Sequence, residues 1–85
     1  GNNVERLYKL IDNSVEAIEF IAKENKKLLN ITLSELKLKP NILIAAIIRN
    51  GEVIVPSGST TIMQNDSVIV ITKDHNLYEL GDILV

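Results

Sequence analysis

The chain has 85 residues, 46% of them hydrophobic and 24% charged, which is the composition of one globular domain and not of a disordered or low-complexity segment. Nine lysines and arginines against eleven aspartates and glutamates leave a net charge of -2, so there is no general attraction to nucleic acid or to an anionic lipid surface. The chain has no cysteine, and its longest apolar run, residues 42–48, is seven residues against the roughly 20 a membrane-spanning helix needs.

A domain of this size buries only about 63% of its unfolded surface. With neither disulfides nor a metal-ligand cluster to staple so small a core, self-association is the expected means of stabilisation. The absence of cysteine fits a reducing, cytoplasmic setting. Gly1 is expected to be foreign to the natural chain, and residues 2–85 to be a piece of a longer protein.

Residues 2–11 place Val4, Leu7, Tyr8 and Ile11 at helical spacing, with Glu5, Arg6 and Lys9 on the other side. This predicts a short amphipathic helix, and because no capping residue opens it, the tail of a helix arriving from an upstream domain. Residues 1–14 are therefore expected to be a linker helix and 15–85 the domain proper. Asp12-Asn13-Ser14 reads as a turn. From 15 to 23 apolar residues alternate, Ile18, Phe20 and Ala22 on one face and Ala17, Glu19 and Ile21 on the other, as in a half-covered strand. Thr32-Leu33-Ser34-Glu35 matches a capping box, and Pro40 restricts the helix it would open to about 33–38.

Residues 41–48 are the most hydrophobic stretch and do not alternate, which predicts a strand buried on both faces, with Ala45 and Ala46 permitting close approach. Asn50-Gly51 predicts a two-residue hairpin turn to a strand over 52–56, ended by Pro56. Ser57-Gly58-Ser59-Thr60 follows as a loop and Asn65-Asp66-Ser67 as a turn. Residues 68–72 predict a second buried strand, and Asp74 a cap for a last helix through Tyr78 and Leu80, stopped by Gly81. The expected fold is α+β, a small mixed or antiparallel sheet with short helices. Its two apolar strands are expected to meet in a homodimer seam.

Catalysis needs a nucleophile or an acid–base pair, and one histidine with singly scattered carboxylates supplies neither, so an enzyme is not expected. His75 reads as a solvated residue at a helix start. No Gly-x-Gly-x-x-Gly or Walker motif occurs. Arg49, at the end of the most hydrophobic strand, could present its fork to a phosphate or carboxylate, or pair with Glu52 across the turn. Ser57, Ser59 and Thr60 are hydroxyl donors in what is first of all a loop.

Val15-Glu16-Ala17-Ile18-Glu19-Phe20, Leu33-x-x-Leu36, Ile44-Ala45-Ala46-Ile47-Ile48-Arg49-Asn50-Gly51, Val55-Pro56-Ser57-Gly58-Ser59-Thr60-Thr61-Ile62 and Asp66-Ser67-Val68-Ile69-Val70 together resemble the TrkA C-terminal domain, also called the RCK C-terminal domain. The resemblance covers about residues 15–72, and the closing Leu77-x-x-Leu80-x-Asp82-Ile83-Leu84 is similar to the C-terminal end of potassium-uptake regulators that carry it. It implies a cytoplasmic, dimerising regulatory domain at the inner face of the membrane, joined through the full-length protein to a membrane potassium transporter subunit. The nucleotide-binding Rossmann domains of such regulators are not in this chain. In some relatives the dimer cleft takes cyclic di-AMP; carried over residue by residue, this implies Ile48, Arg49, Asn50, Ile54 and Pro56 as ligand-binding positions, two copies of Arg49 facing each other across the two-fold axis. The alternatives are a structural coupling domain without a ligand, or the same domain attached to another membrane carrier or a transcription regulator.

Overall fold

The computed structural model describes residues 4–85. Five strands, β1 (Val4–Leu10), β2 (Val15–Ile21), β3 (Ile42–Arg49), β4 (Glu52–Ile54) and β5 (Ser67–Thr72), form one sheet in the order β1-β2-β5-β3-β4. Every neighbouring pair is antiparallel. The only helical element among the described residues is a 3-10 turn, Leu80–Ile83. The fold is thus all-β, which corrects the expected α+β class at each of its three predicted helices.

Residues 4–10 form a strand because their apolar spacing also suits an antiparallel partner, and because β2 would otherwise leave an edge unpaired. Ile11, Asp12 and Asn13, at φ of 47°, 53° and 63°, turn the chain back into β2. At Thr32 the capping residues do meet, Thr32 Oγ1 donating to Glu35 Oε1 at 2.6 Å, but only a single turn is wound. A segment of this length cannot offset the cost of helix nucleation. Bridges from Thr32 to Thr61 and from Leu38 to Leu84 take its backbone instead. Asp74 accepts from the Asn76 amide at 2.8 Å, a local turn rather than a helix cap, and Gly81 lies inside the 3-10 turn rather than beyond it.

Strands β2 and β5 alternate strictly between buried and half-buried residues. In β3 the alternation is reset by a bulge at Ala45, between the paired residues Ile44 and Ala46, so that Ile44 and Ile47 both enter the core. The unbroken apolar run of 42–48 therefore has a local cause. The core joins Ile18, Phe20 and Ala22 of β2, Ile44 and Ile47 of β3, and Val68 and Val70 of β5 to Leu28, Ile62, Leu77, Leu80 and Ile83, which the loops and the 3-10 turn lay over this inner face.

Among the described residues no loop or turn contributes such a buried cluster on the opposite face. Its cross-strand rows follow from the register: Tyr8, Ala17, Ile71 and Leu43; then Arg6, Glu19, Ile69 and Ala46; then Ile21, Ser67, Ile48 and Val53. Tyr8 is 59% exposed, Leu43 58% and Val53 67%, so large apolar side chains stand in water here.

Candidate functional site

The residues singled out by sequence gather around the β3–β4 hairpin. Asn50 and Gly51 occupy the turn at φ of 51° and 78°, the double left-handed conformation that a two-residue hairpin requires and that glycine adopts without a Cβ penalty. This closes the pairs Arg49 with Glu52, Ile48 with Val53 and Ile47 with Ile54. Arg49 and Ile54 therefore lie on the inner side of the hairpin and Ile48 on the bare face. Asn50 is exposed at the tip and Pro56 half-buried beyond β4. Of the five positions, Arg49 and Ile54 share one face of the sheet, Ile48 lies on the other, and Asn50 and Pro56 lie outside the strands.

The partner of Arg49 is Asp66, not Glu52. Arg49 Nε donates to Asp66 Oδ1 at 2.9 Å and Nη2 to Oδ2 at 2.8 Å, and Nη2 also donates to the Thr61 carbonyl at 3.0 Å. Asp66 is 1% exposed. Its carboxylate accepts the Met63 amide as well, at 2.8 Å, and its carbonyl accepts the Ala22 amide. Burial raises the Asp66 pKa, but the hydrogen bonds from Arg49 and Met63 outweigh it, and the carboxyl lies below its ordinary value. The hydrogen bond to Asp66 in turn raises the Arg49 pKa. The pair ties the end of β3 to the loop that enters β5. Arg49 Nη1 makes no hydrogen bond to a described residue, which leaves one edge of the guanidinium available. In sequence Asp66 reads only as part of a turn, because its distance of seventeen residues from Arg49 closes only once β3 and β5 are neighbours.

Two further polar contacts escape a linear reading. His75 is half-exposed, and its Nδ1 lies 3.0 Å from Oε2 of the buried Glu16. On the bare face Glu19 accepts the Ser67 hydroxyl and lies 3.5 Å from Arg6 Nε. The hydroxyls of Ser57, Ser59 and Thr60 bond one another, and Thr60 Oγ1 accepts the Ser57 amide at 2.9 Å, so this loop is folded on itself. Ile48 lines a shallow hollow of about 200 Å³ with Arg6, Tyr8, Ala17, Glu19 and Ile69. An apolar hollow of about 340 Å³, bordered by Val15, Leu43 and Ile71, lies at the other end of the same face. Among the described residues no three His, Asp or Glu side chains are placed to hold a metal ion, and no helix is long and apolar enough to cross a membrane.

A single antiparallel sheet, sealed by loops on one face and apolar on the other, with an arginine–aspartate clamp at one end, defines the class of domain. The chain belongs to the TrkA-C domain family, whose profile matches residues 17–85. It is similar to a Trk system potassium uptake protein TrkA homolog of Archaeoglobus fulgidus, 33% identical over 69 residues, which are 81% of this chain and 16% of that protein. The Trk system potassium uptake protein TrkA of Azorhizobium caulinodans is 33% identical over 67 residues, 79% of this chain and 15% of that protein. TrkA homolog 2 of Methanosarcina mazei is 26% identical over 69 residues, 81% and 15%. The chain spans about a sixth of the length of these curated relatives.

Proposed function

We propose that the chain is a regulatory domain of a potassium-uptake system, a non-catalytic cytoplasmic module that self-associates and passes the state of its homodimer to the domains attached to it. The observation that carries this reading is the family match together with a sheet whose second face is left apolar, a surface that serves association rather than chemistry. The names of the relatives support a place beside a membrane potassium transporter subunit, reached through the full-length protein. A ligand would act on such a module only by its differential affinity for two arrangements.

The division at residue 14 keeps a role in this reading. Strand β1, hydrogen-bonded to β2, is the arm through which a change in the domain would reach an upstream neighbour. Deleting residues 1–11 from the full-length protein should uncouple transport from its regulator, and regulated transport at the parental level would remove the arm from the mechanism.

The ligand that fits the hairpin end is a cyclic dinucleotide of the cyclic di-AMP class. Arg49, aimed by Asp66, would offer Nη1 to a phosphate, with Ile48, Asn50, Ile54 and Pro56 around it. A coupling domain without a ligand is the second reading, favoured by the neutralisation of Arg49 by Asp66 and by the placing of Ile48 on the opposite face from Arg49 and Ile54. Isothermal titration of cyclic di-AMP into the chain, with light scattering on the same sample, separates them. Saturable binding at one ligand per dimer supports the sensor. No heat from a folded dimer leaves the coupling domain.

A further inference from the structure

We propose that the hairpin tip Asn50-Gly51 is a site of self-modification, at which Asn50 loses its amide nitrogen and becomes aspartate or isoaspartate. The reaction needs a backbone nitrogen free to attack the asparagine's own carboxamide, and no side chain in the way. Both conditions are met at this turn. The Gly51 amide lies outside the strand ladder, which closes at Arg49 and Glu52, and it donates to no described residue. The Asn50 carboxamide has no hydrogen-bond partner among the described residues, and both residues are exposed. Nothing stands within 4 Å of where a Gly51 Cβ would be. For the attack the turn must briefly leave its left-handed conformation, and β4, the shortest strand and the border of the sheet, is placed to fray and allow it.

The other asparagines among the described residues are withheld from this chemistry. The amides that follow Asn13 and Asn65 are engaged, Ser14 donating to the Ile11 carbonyl at 2.9 Å and Asp66 to the Met63 carbonyl at 3.0 Å. Asn25 is itself held, its Oδ1 accepting the Lys27 amide at 2.9 Å. Asn30 and Asn41 precede isoleucines, whose branched Cβ crowds the approach, and Asn76 precedes the buried Leu77. At Asn50 the Gly51 nitrogen gives its proton to base and bonds to Cγ as the Cγ–Nδ2 bond breaks, and ammonia carries that nitrogen away. Water then opens the cyclic imide. Addition at Cγ restores the ordinary backbone as aspartate. Addition at the former main-chain carbonyl leaves the chain running through Cγ, one methylene longer, with a carboxylate on Cα. One water enters, one ammonia leaves, and no oxidant is needed. Either product adds one negative charge to the net -2, next to Arg49 in the chain. The longer isoaspartyl backbone no longer fits a two-residue turn, so the closure of Arg49 on Glu52 is lost.

Storage of the folded chain for several weeks in warm, mildly alkaline buffer tests the site, because base frees the attacking nitrogen; a urea-unfolded sample runs in parallel. Intact mass should rise by about 1 Da as an amide is exchanged for a carboxylic acid, and an acidic peak should grow on anion exchange. Fragmentation of the tryptic peptide 50–73 should place the change at Asn50 and not at Asn65. Protein isoaspartyl methyltransferase should label one of the separated fractions. That fraction should unfold at a lower urea midpoint than the parent, and the aspartyl fraction at the parental one. Asn50→Gln, whose longer side chain closes a ring far more slowly, should keep its starting mass while showing the parental circular dichroism. Conversion of Asn50 in the unfolded sample alone, or first conversion at another asparagine, overturns the site. Equal urea midpoints for the two fractions overturn its effect on the hairpin.

Discussion

Asp66 is the residue on which the β3 end depends, because it is buried and its charge is answered by Arg49 and the Met63 amide. Its pKa is lowered by folding, so the stabilisation is present in full above the ordinary carboxylate value of 3.8 and is lost as pH falls through the lower folded value. Urea unfolding at neutral pH should show Asp66→Asn less stable by about 1.5–3 kcal/mol, the range for a charge-assisted hydrogen bond. In acid titration below pH 4 the parent should lose stability that this variant has already lost; parallel curves would show that Asp66 is not the titrating group. The choice of Asp66 over Glu52 could not be seen in sequence. Across an exposed turn an ion pair is worth little, whereas a fork closing on a buried carboxylate is worth more, and burial is a tertiary property.

At the scale of elements, the hairpin turn and the bulge fix the register. Gly51 at φ 78° has open space where a Cβ would stand, so Gly51→Ala should be destabilising by about 1 kcal/mol through backbone strain alone, measurable as a lowered urea midpoint with an unchanged slope. Ala45 is the unpaired residue of the bulge. Deleting it would let Ile44 and Ala46 follow each other against Val70 and Ile69 in an unbroken ladder, with Ile44 and Ile47 still facing the core. A cooperative thermal transition is therefore expected to survive that deletion, and its loss would mean that the local bend of the bulge is itself required for β3 to pair. The strands 15–23 and 68–72 and the Asn-Gly turn were legible in sequence because their signals are local. The helices were not: at 2–11 one apolar spacing satisfies two periods, and the neighbouring edge of β2 decides between them. At 33–38 and near Asp74 the capping chemistry is real but closes single turns.

For the whole molecule, one face of the sheet is sealed by loops and the other leaves large apolar side chains exposed, so the proposed self-association would tie stability to concentration. If the bare face is covered by a second copy, the melting temperature should rise with protein concentration, as mass action requires, and Leu43→Lys should abolish the dependence. A melting temperature that is the same at micromolar and millimolar concentration would place the parent among monomers.

The sequence alone settled the apolar patterning of β2 and β5, the hairpin turn, the want of a spanning helix and the family, because each of these rests on residue identity at short range. It also placed the ligand candidates on one stretch of chain. Tertiary structure decided the rest: that residues 4–10 pair as a strand, that the β3 run is reset by a bulge, that Arg49 answers Asp66, and that Ile48 lies on the opposite face from Arg49 and Ile54. Strand pairing brings together residues far apart in the chain and sends alternate side chains to opposite sides, so which partner wins is fixed only when the whole sheet has closed.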